Sequence, residues 1–350
     1  MDRRRFLRGV AALGGVALGL GPARRAIAWQ SSAGAYSPVY PTGSQFEISY
    51  GDQYAAVTEV GATLRSYRVG GREVLDTFGI GEPSDASRGQ VLIPWPNRID
   101  HGRYEFGGQE NQLPINEVPN DNAIHGLTRW MSWRLLSRTS SQVLLGLRLY
   151  PQDGWPFILG VEISYALSDA GLTVTTGVQN LGSTPMPFGI GHHPYITVGT
   201  PTIDTATLRL PARTYLKTNE RLIPTGRAGV EGTRFDFRGG RRIGDTRLDT
   251  CFTDVIPDPD GYTRVTLSNP EDGFTVTVAM DPSHRYIQAY TGDTLPEEAD
   301  RRRGIAIEPM TCAPNAFNSG DGLRVLQPGE VFVSSWALGA SYDALPATAR

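Results

Sequence analysis

The chain has 350 residues, a formal net charge of −3 and an isoelectric point near 6.0. That balance supplies neither a basic field for nucleic acid nor an acidic tail. With 39% hydrophobic residues, 41 glycines and 25 prolines, it describes a turn-rich globular protein of one or two domains rather than a disordered one. Two cysteines, Cys251 and Cys312, cannot make a structural zinc site alone; they either pair or remain small buried residues.

The first 28 residues read as a targeting segment. Arg3-Arg4-Arg5-Phe6-Leu7-Arg8 resembles a twin-arginine export signal. The apolar run at 10–20 is too short to span a bilayer as a helix. Ala26-Ile27-Ala28 then offers a small-residue cleavage site. The expectation is a signal peptide over 1–28 and one domain over 29–350. The mature protein is expected in the periplasm or outside the cell, without stable membrane insertion.

Period-two patterns dominate the rest. Residues 104–113, YEFGGQENQL, read as a hairpin turning at Gly107-Gly108. Strands are predicted at 141–150, 157–167, 172–180 and 274–280, where aliphatic and aromatic residues alternate with polar ones. Short helical pieces are expected near 82–89 and 296–302. The stretches 257–262 and 294–304 read as surface loops, the charged run in the second as solvated. With no long amphipathic helix, fixed repeat or linker, the pattern predicts an all-β protein, one large antiparallel β-sandwich.

There is no P-loop, no G-x-G-x-x-G after a strand, no H-E-x-x-H and no G-x-S-x-G. No cofactor and no metal are therefore expected. Five polar residues keep unusual company. Arg98 follows a stiff Pro-Trp-Pro-Asn run and can present its fork to hydroxyls or a carboxylate, or serve a surface salt bridge. His125 precedes Gly126, and is a ligand-facing or a core histidine. His192 and His193 are adjacent, so on an extended chain they diverge. Asp249 opens a strand-like run and is alternatively a turn or capping residue. Glu308 ends an apolar run at 304–307, where desolvation raises its pKa in the direction useful to a general base unless an arginine pairs with it.

In this order, and with PNRIDHGRYEFGGQENQLPINEVPNDNAIHG, HHPY and IAIEPMTCAPNAFN around them, these residues resemble the aldose 1-epimerases, or galactose mutarotases, over roughly 40–340. The resemblance implies a galactose-mutarotase β-sandwich and cofactor-free interconversion of the α and β anomers of a free hexose such as glucose or galactose. Carried over by motif, Glu308 is the general base at the anomeric hydroxyl and His193 the general acid at the ring oxygen, on opposite sides of the ring. His125 orients the sugar, and Arg98 and Asp249 hold hydroxyls; His192, sent to the other face by strand alternation, is expected to be structural. Met310 and Asn315 stand where many members carry glutamine and aspartate, and His125-Gly126 lacks a second glycine. Three rivals remain: a non-catalytic carbohydrate-binding protein; a hexose-6-phosphate 1-epimerase using Arg129, Arg134 and Arg301 to Arg303; and a metal site built from His192 and His193 with Asp249 or Glu308.

Overall fold

The computed structural model describes residues 39–342. The expected export segment and its expected cleavage site lie outside them. Two large antiparallel sheets organise the chain. The nine-stranded sheet has at its centre, in spatial order, Gln142–Leu149, Leu159–Ser168, Gly171–Asn180, Val331–Tyr342 and Phe274–Met280. These include the strands predicted from alternation, and the burial confirms its cause. Leu159, Val161, Ile163 and Tyr165 are buried, while Glu162 and Ser168 between and beyond them reach solvent. The expected hairpin is present as Arg103–Phe106 and Gln109–Gln112, with Gly107 and Gly108 both at positive φ.

The second sheet has eight strands. Its path runs Pro224–Gly229, Ala212–Thr218, Asp249–Val255, Tyr286–Tyr290, Ile305–Met310, Gly191–His192 and Val91–Leu92, with Tyr195–Ile196 also pairing Ile305–Met310. The two inner faces meet in one core. His192 of the eight-stranded sheet packs on Trp336 of the nine-stranded one, and Phe188, from the small sheet of Met186–Phe188 and Arg324–Leu326, packs on Phe332 of the nine-stranded sheet.

One irregularity positions the site. The strand carrying the double histidine breaks at His193-Pro194. On one side Gly191 lies opposite Met310, and on the other Tyr195 lies opposite Ala306. That register places His193 opposite Glu308, across the break. Pro309 is accommodated because the interrupted neighbour asks for no N–H from it.

Several expectations need correcting. Glu308 is not at a strand end: Ile305–Met310 continues through Pro309 and is buried at all six positions. Residues 82–89 form turns rather than a helical piece, because Arg88 is fixed by side-chain bonds to Asp76 and Asp85 instead of a helical ladder. The 296–302 stretch does contain a short 3-10 turn, Glu298–Asp300, and an unexpected short helix forms at Ala316–Ser319. Cys251 and Cys312 are both buried and free.

Candidate active site

Arg98 begins the strand Arg98–Asp100, which pairs with Asn122–Ile124. It is 8% exposed, so it is not a surface salt-bridge residue. Its Nε and Nη2 bracket the Glu117 carboxylate at 2.8–3.0 Å, and Nη2 lies 3.6 Å from Asp249 Oδ2. Burial opposes the charge of Arg98, but Asp249 and Glu117 overcome it and hold the pKa above its usual value. Asp249 opens Asp249–Val255 opposite Tyr290, and its Oδ1 accepts the Gln288 side-chain amide at 2.5 Å. Partial burial raises its carboxyl pKa, with Arg98 pulling the other way.

His125 is held from below and from the side. Gly126 packs so tightly on the Ile93 carbonyl that a Cβ there would lie 2.0 Å from the oxygen. The Asn97 carbonyl accepts the His125 N–H at 2.9 Å, and the Asn97 N–H donates to His125 Nδ1 at 3.2 Å. The neutral ring therefore carries its proton on Nε2. Asn97 (φ 53°), His125 (φ 65°) and Asn315 (φ 60°) all adopt left-handed backbone. The Asn315 N–H donates to the Arg98 carbonyl at 2.6 Å, so the three are interlocked. Strain of this kind concentrates at functional sites and is tolerated where surrounding bonds over-determine it.

His193 faces this group. Its ring meets His125 edge-on at 5.2 Å and stacks on Tyr195 at 5.2 Å, while Arg88 lies over the other ring, 5.1 Å from the Tyr195 centroid. Its Nε2 is 3.3 Å from Glu308 Oε1. Both side chains are buried, and Glu308 Oε2 has no hydrogen-bond partner. Burial and then Asp249 raise the Glu308 pKa well above the carboxylate range. Burial, then Arg129, Arg88 and Arg98, push the His193 pKa down to about 3. Both shifts favour a neutral pair sharing one proton. Because 3.3 Å admits no sugar ring between them, the two groups do not flank a ring on opposite sides in this geometry. They sit together on one wall.

His192 points the other way. Its ring lies 5.2 Å from Trp336, and burial, then His284, push its pKa well below the usual histidine value. The metal set drawn from both adjacent histidines is thus geometrically broken. Among the described residues no cluster of three or more His, Cys, Asp or Glu is placed to hold a metal, and no helix is long and apolar enough to cross a membrane.

The structure thus gathers Arg98, His125, His193, Asp249 and Glu308. It adds Glu117, Gln288 and Tyr195, which sequence reasoning did not single out. The proposed phosphate arginines do not converge. Arg302 pairs with Asp204 and Asp293, and Arg303 with Asp76 and Asp300. Arg301 bonds the Leu295 carbonyl. Arg134 lines a groove of about 680 Å³ beside Gly146, Glu162 and Gly177 of the nine-stranded sheet, away from the histidines. Only Arg129 acts on His125 and His193.

This geometry coincides with sequence similarity. The aldose 1-epimerase family model matches residues 45–338. The chain belongs to that family. It is 35% identical to the uncharacterized protein YihR of Escherichia coli K12 over 290 residues, 83% of this chain and 91% of that one. It is 33% identical to mouse galactose mutarotase over 210 residues, covering 58% of this chain and 59% of the mouse protein. Among solved structures, a GalM/aldose epimerase homologue from C. elegans superposes with a TM-score of 0.77 at 21% identity, over 85% of this chain and 99% of that chain. Galactose 1-epimerase from Lactobacillus acidophilus gives 0.70 at 23%, over 84% and 93%. Membership brings the family's nearly all-β, antiparallel architecture and its isomerase type of chemistry.

Proposed function

We propose that the protein is a mutarotase that interconverts the anomers of a free aldose by opening and reclosing the sugar ring. The observation that carries this reading is the buried His193–Glu308 contact at 3.3 Å. The anomeric and ring oxygens are bonded to the same carbon, so an acid and a base that touch each other can serve both. Glu308 as carboxylate takes the proton from the anomeric hydroxyl, the C1–ring-oxygen bond breaks, and His193 as imidazolium gives its proton to the ring oxygen. Rotation about C1–C2 and the reverse transfers close the ring as the other anomer. The pair's single proton reaches His193 from Glu308 through their direct contact. Positioned proton transfer of this type contributes about 10²–10⁴-fold in rate.

The remaining residues bind. Arg98 and Asp249 hold hydroxyls, and His125, with its proton on Nε2, donates to the sugar beside the ring oxygen. A carbohydrate-binding module needs no such pair, and this distinguishes the two readings experimentally. The test is polarimetry of fresh α-D-glucose and α-D-galactose with wild type and Glu308→Gln. Acceleration by the wild type that is lost in Glu308→Gln is expected; sugar binding without acceleration refutes the reading. We also propose export by the twin-arginine route, supported by Arg3-Arg4-Arg5-Phe6-Leu7-Arg8.

A further inference from the structure

Arg129 differs from the other arginines around the site. Arg88 is paired with Asp76 and Asp85, Arg98 with Glu117 and Asp249, and Arg303 with Asp76 and Asp300. Among the described residues no carboxylate pairs with Arg129. Its Nη1 donates only to neutral oxygens, Ser87 Oγ at 3.0 Å and Gln90 Oε1 at 3.2 Å, and its Nη2 to the Ile124 carbonyl at 3.3 Å. Its Nε–H is buried without an acceptor, and so is the side-chain nitrogen of Gln90, a residue only 1% exposed. A charge and two donors left unsatisfied together are costly in a folded protein unless something anionic meets them.

Their place in the chain says where. The Gln90 carbonyl accepts the His193 N–H at 3.1 Å, and Ile124 immediately precedes His125. Arg129 thus links the side chain of Gln90, whose carbonyl holds the His193 N–H, to the main-chain carbonyl that precedes His125. On the mutarotase reading, His193 serves the ring oxygen. The ring carbon on the far side of that oxygen from C1 bears the exocyclic carbon. We infer that Arg129 is an anion-recognition element of the sugar site, and that the aldose it serves carries a negatively charged exocyclic group, a carboxylate or another oxyanion. This inference rests on that reading for the orientation of the sugar. It also links recognition to chemistry: a bound anion cancels the field of Arg129 at His193 and makes the imidazolium easier to form.

The test compares D-glucuronate, D-galacturonate and glucose 6-phosphate with D-glucose and D-galactose. Exchange between anomers is followed by NMR for wild type, Arg129→Gln and Arg129→Lys. The expected kcat/KM of the wild type is at least about tenfold higher for an anionic aldose than for its neutral parent, as a hydrogen bond to a charged group allows. Arg129→Gln should collapse that ratio toward one, and Arg129→Lys should keep part of it. The uronates and the phosphate tell a carboxylate from a phosphate ester. A wild-type ratio of one or less for every anionic sugar overturns the inference even if no variant folds; so does a ratio that Arg129→Gln leaves intact. If no aldose is accelerated, the mutarotase reading fails, and calorimetry decides this one separately. Glucuronate binding to the wild type that Arg129→Gln loses sustains it, and no binding overturns it.

Discussion

His193 Nε2 and Glu308 Oε1 lie 3.3 Å apart because their strands place them opposite each other across a break in the ladder. They titrate as a unit. The pair is competent with one proton, gains a second only well below the usual histidine range, and loses its last only above the usual carboxylate range. Activity should fall on the acid side when the second proton binds and on the alkaline side when the last is lost. Glu308→Gln should lower kcat by about 10²–10⁴-fold and abolish the alkaline limb. A pH–rate profile checks both, and an unchanged alkaline limb in the variant contradicts the assignment.

The two neighbouring histidines should separate by phenotype. His193→Gln is expected to lower kcat by about 10²–10⁴-fold with little change in melting temperature. His192→Gln removes a ring that packs on Trp336 in the core and should lower stability more than kcat. Mutarotation rates alongside thermal melts decide it; the reverse pattern would mean the acid has been assigned to the wrong ring.

Acid should destabilise the fold through His192. Burial lowers its folded-state pKa well below 6.5. The unfolded chain therefore binds the proton first, and stability present above about pH 6.5 is lost as pH falls. One such histidine contributes a slope of about 1.4 kcal/mol per pH unit below that value. Urea unfolding from pH 8 to 5 should give a shallower acid slope in His192→Gln than in the wild type. Equal slopes would show that the ring does not stay neutral in the core.

Glu117 fixes the direction in which Arg98 points. Glu117→Gln should raise KM by about tenfold, the worth of one charged hydrogen bond, with kcat less affected. Glu117→Asp should restore part of the loss. A fall in kcat at unchanged KM in Glu117→Gln would place Arg98 in the chemical step instead.

Export is checked independently of the fold. Replacing Arg3 and Arg4 together by lysine should retain the protein in the cytoplasm, as measured by cell fractionation. Undiminished export of the double variant rules out the twin-arginine route.

The strands were legible because one face of each packs in the core, and the resulting alternation is written locally, as at Phe274, Val276 and Val278. The five expected site residues could be named from local company and family likeness. Their juxtaposition could not, because it depends on a register set by pairing between segments more than a hundred residues apart. Pro309 reads locally as a strand terminator; only the break opposite it shows why the strand continues. Glu117 is one acidic residue in a polar loop, and Gln288 one glutamine in a strand. Neither has a local signal, since each acts through a partner distant in sequence.

Cys251, Gln288, Glu308 and His193 form one row across four adjacent strands. Sheet geometry, about 4.8 Å per strand, therefore sets the interval between His193 and Glu308. Lengthening or shortening a side chain trims that interval but cannot re-rule it. A single inserted or deleted residue near Pro194 is a different matter: it would turn His193 into the core and bring another side chain to Glu308. Substitution in the loops bearing Glu117 and Arg129 leaves the ruler intact, and drift in sugar preference has its open route there.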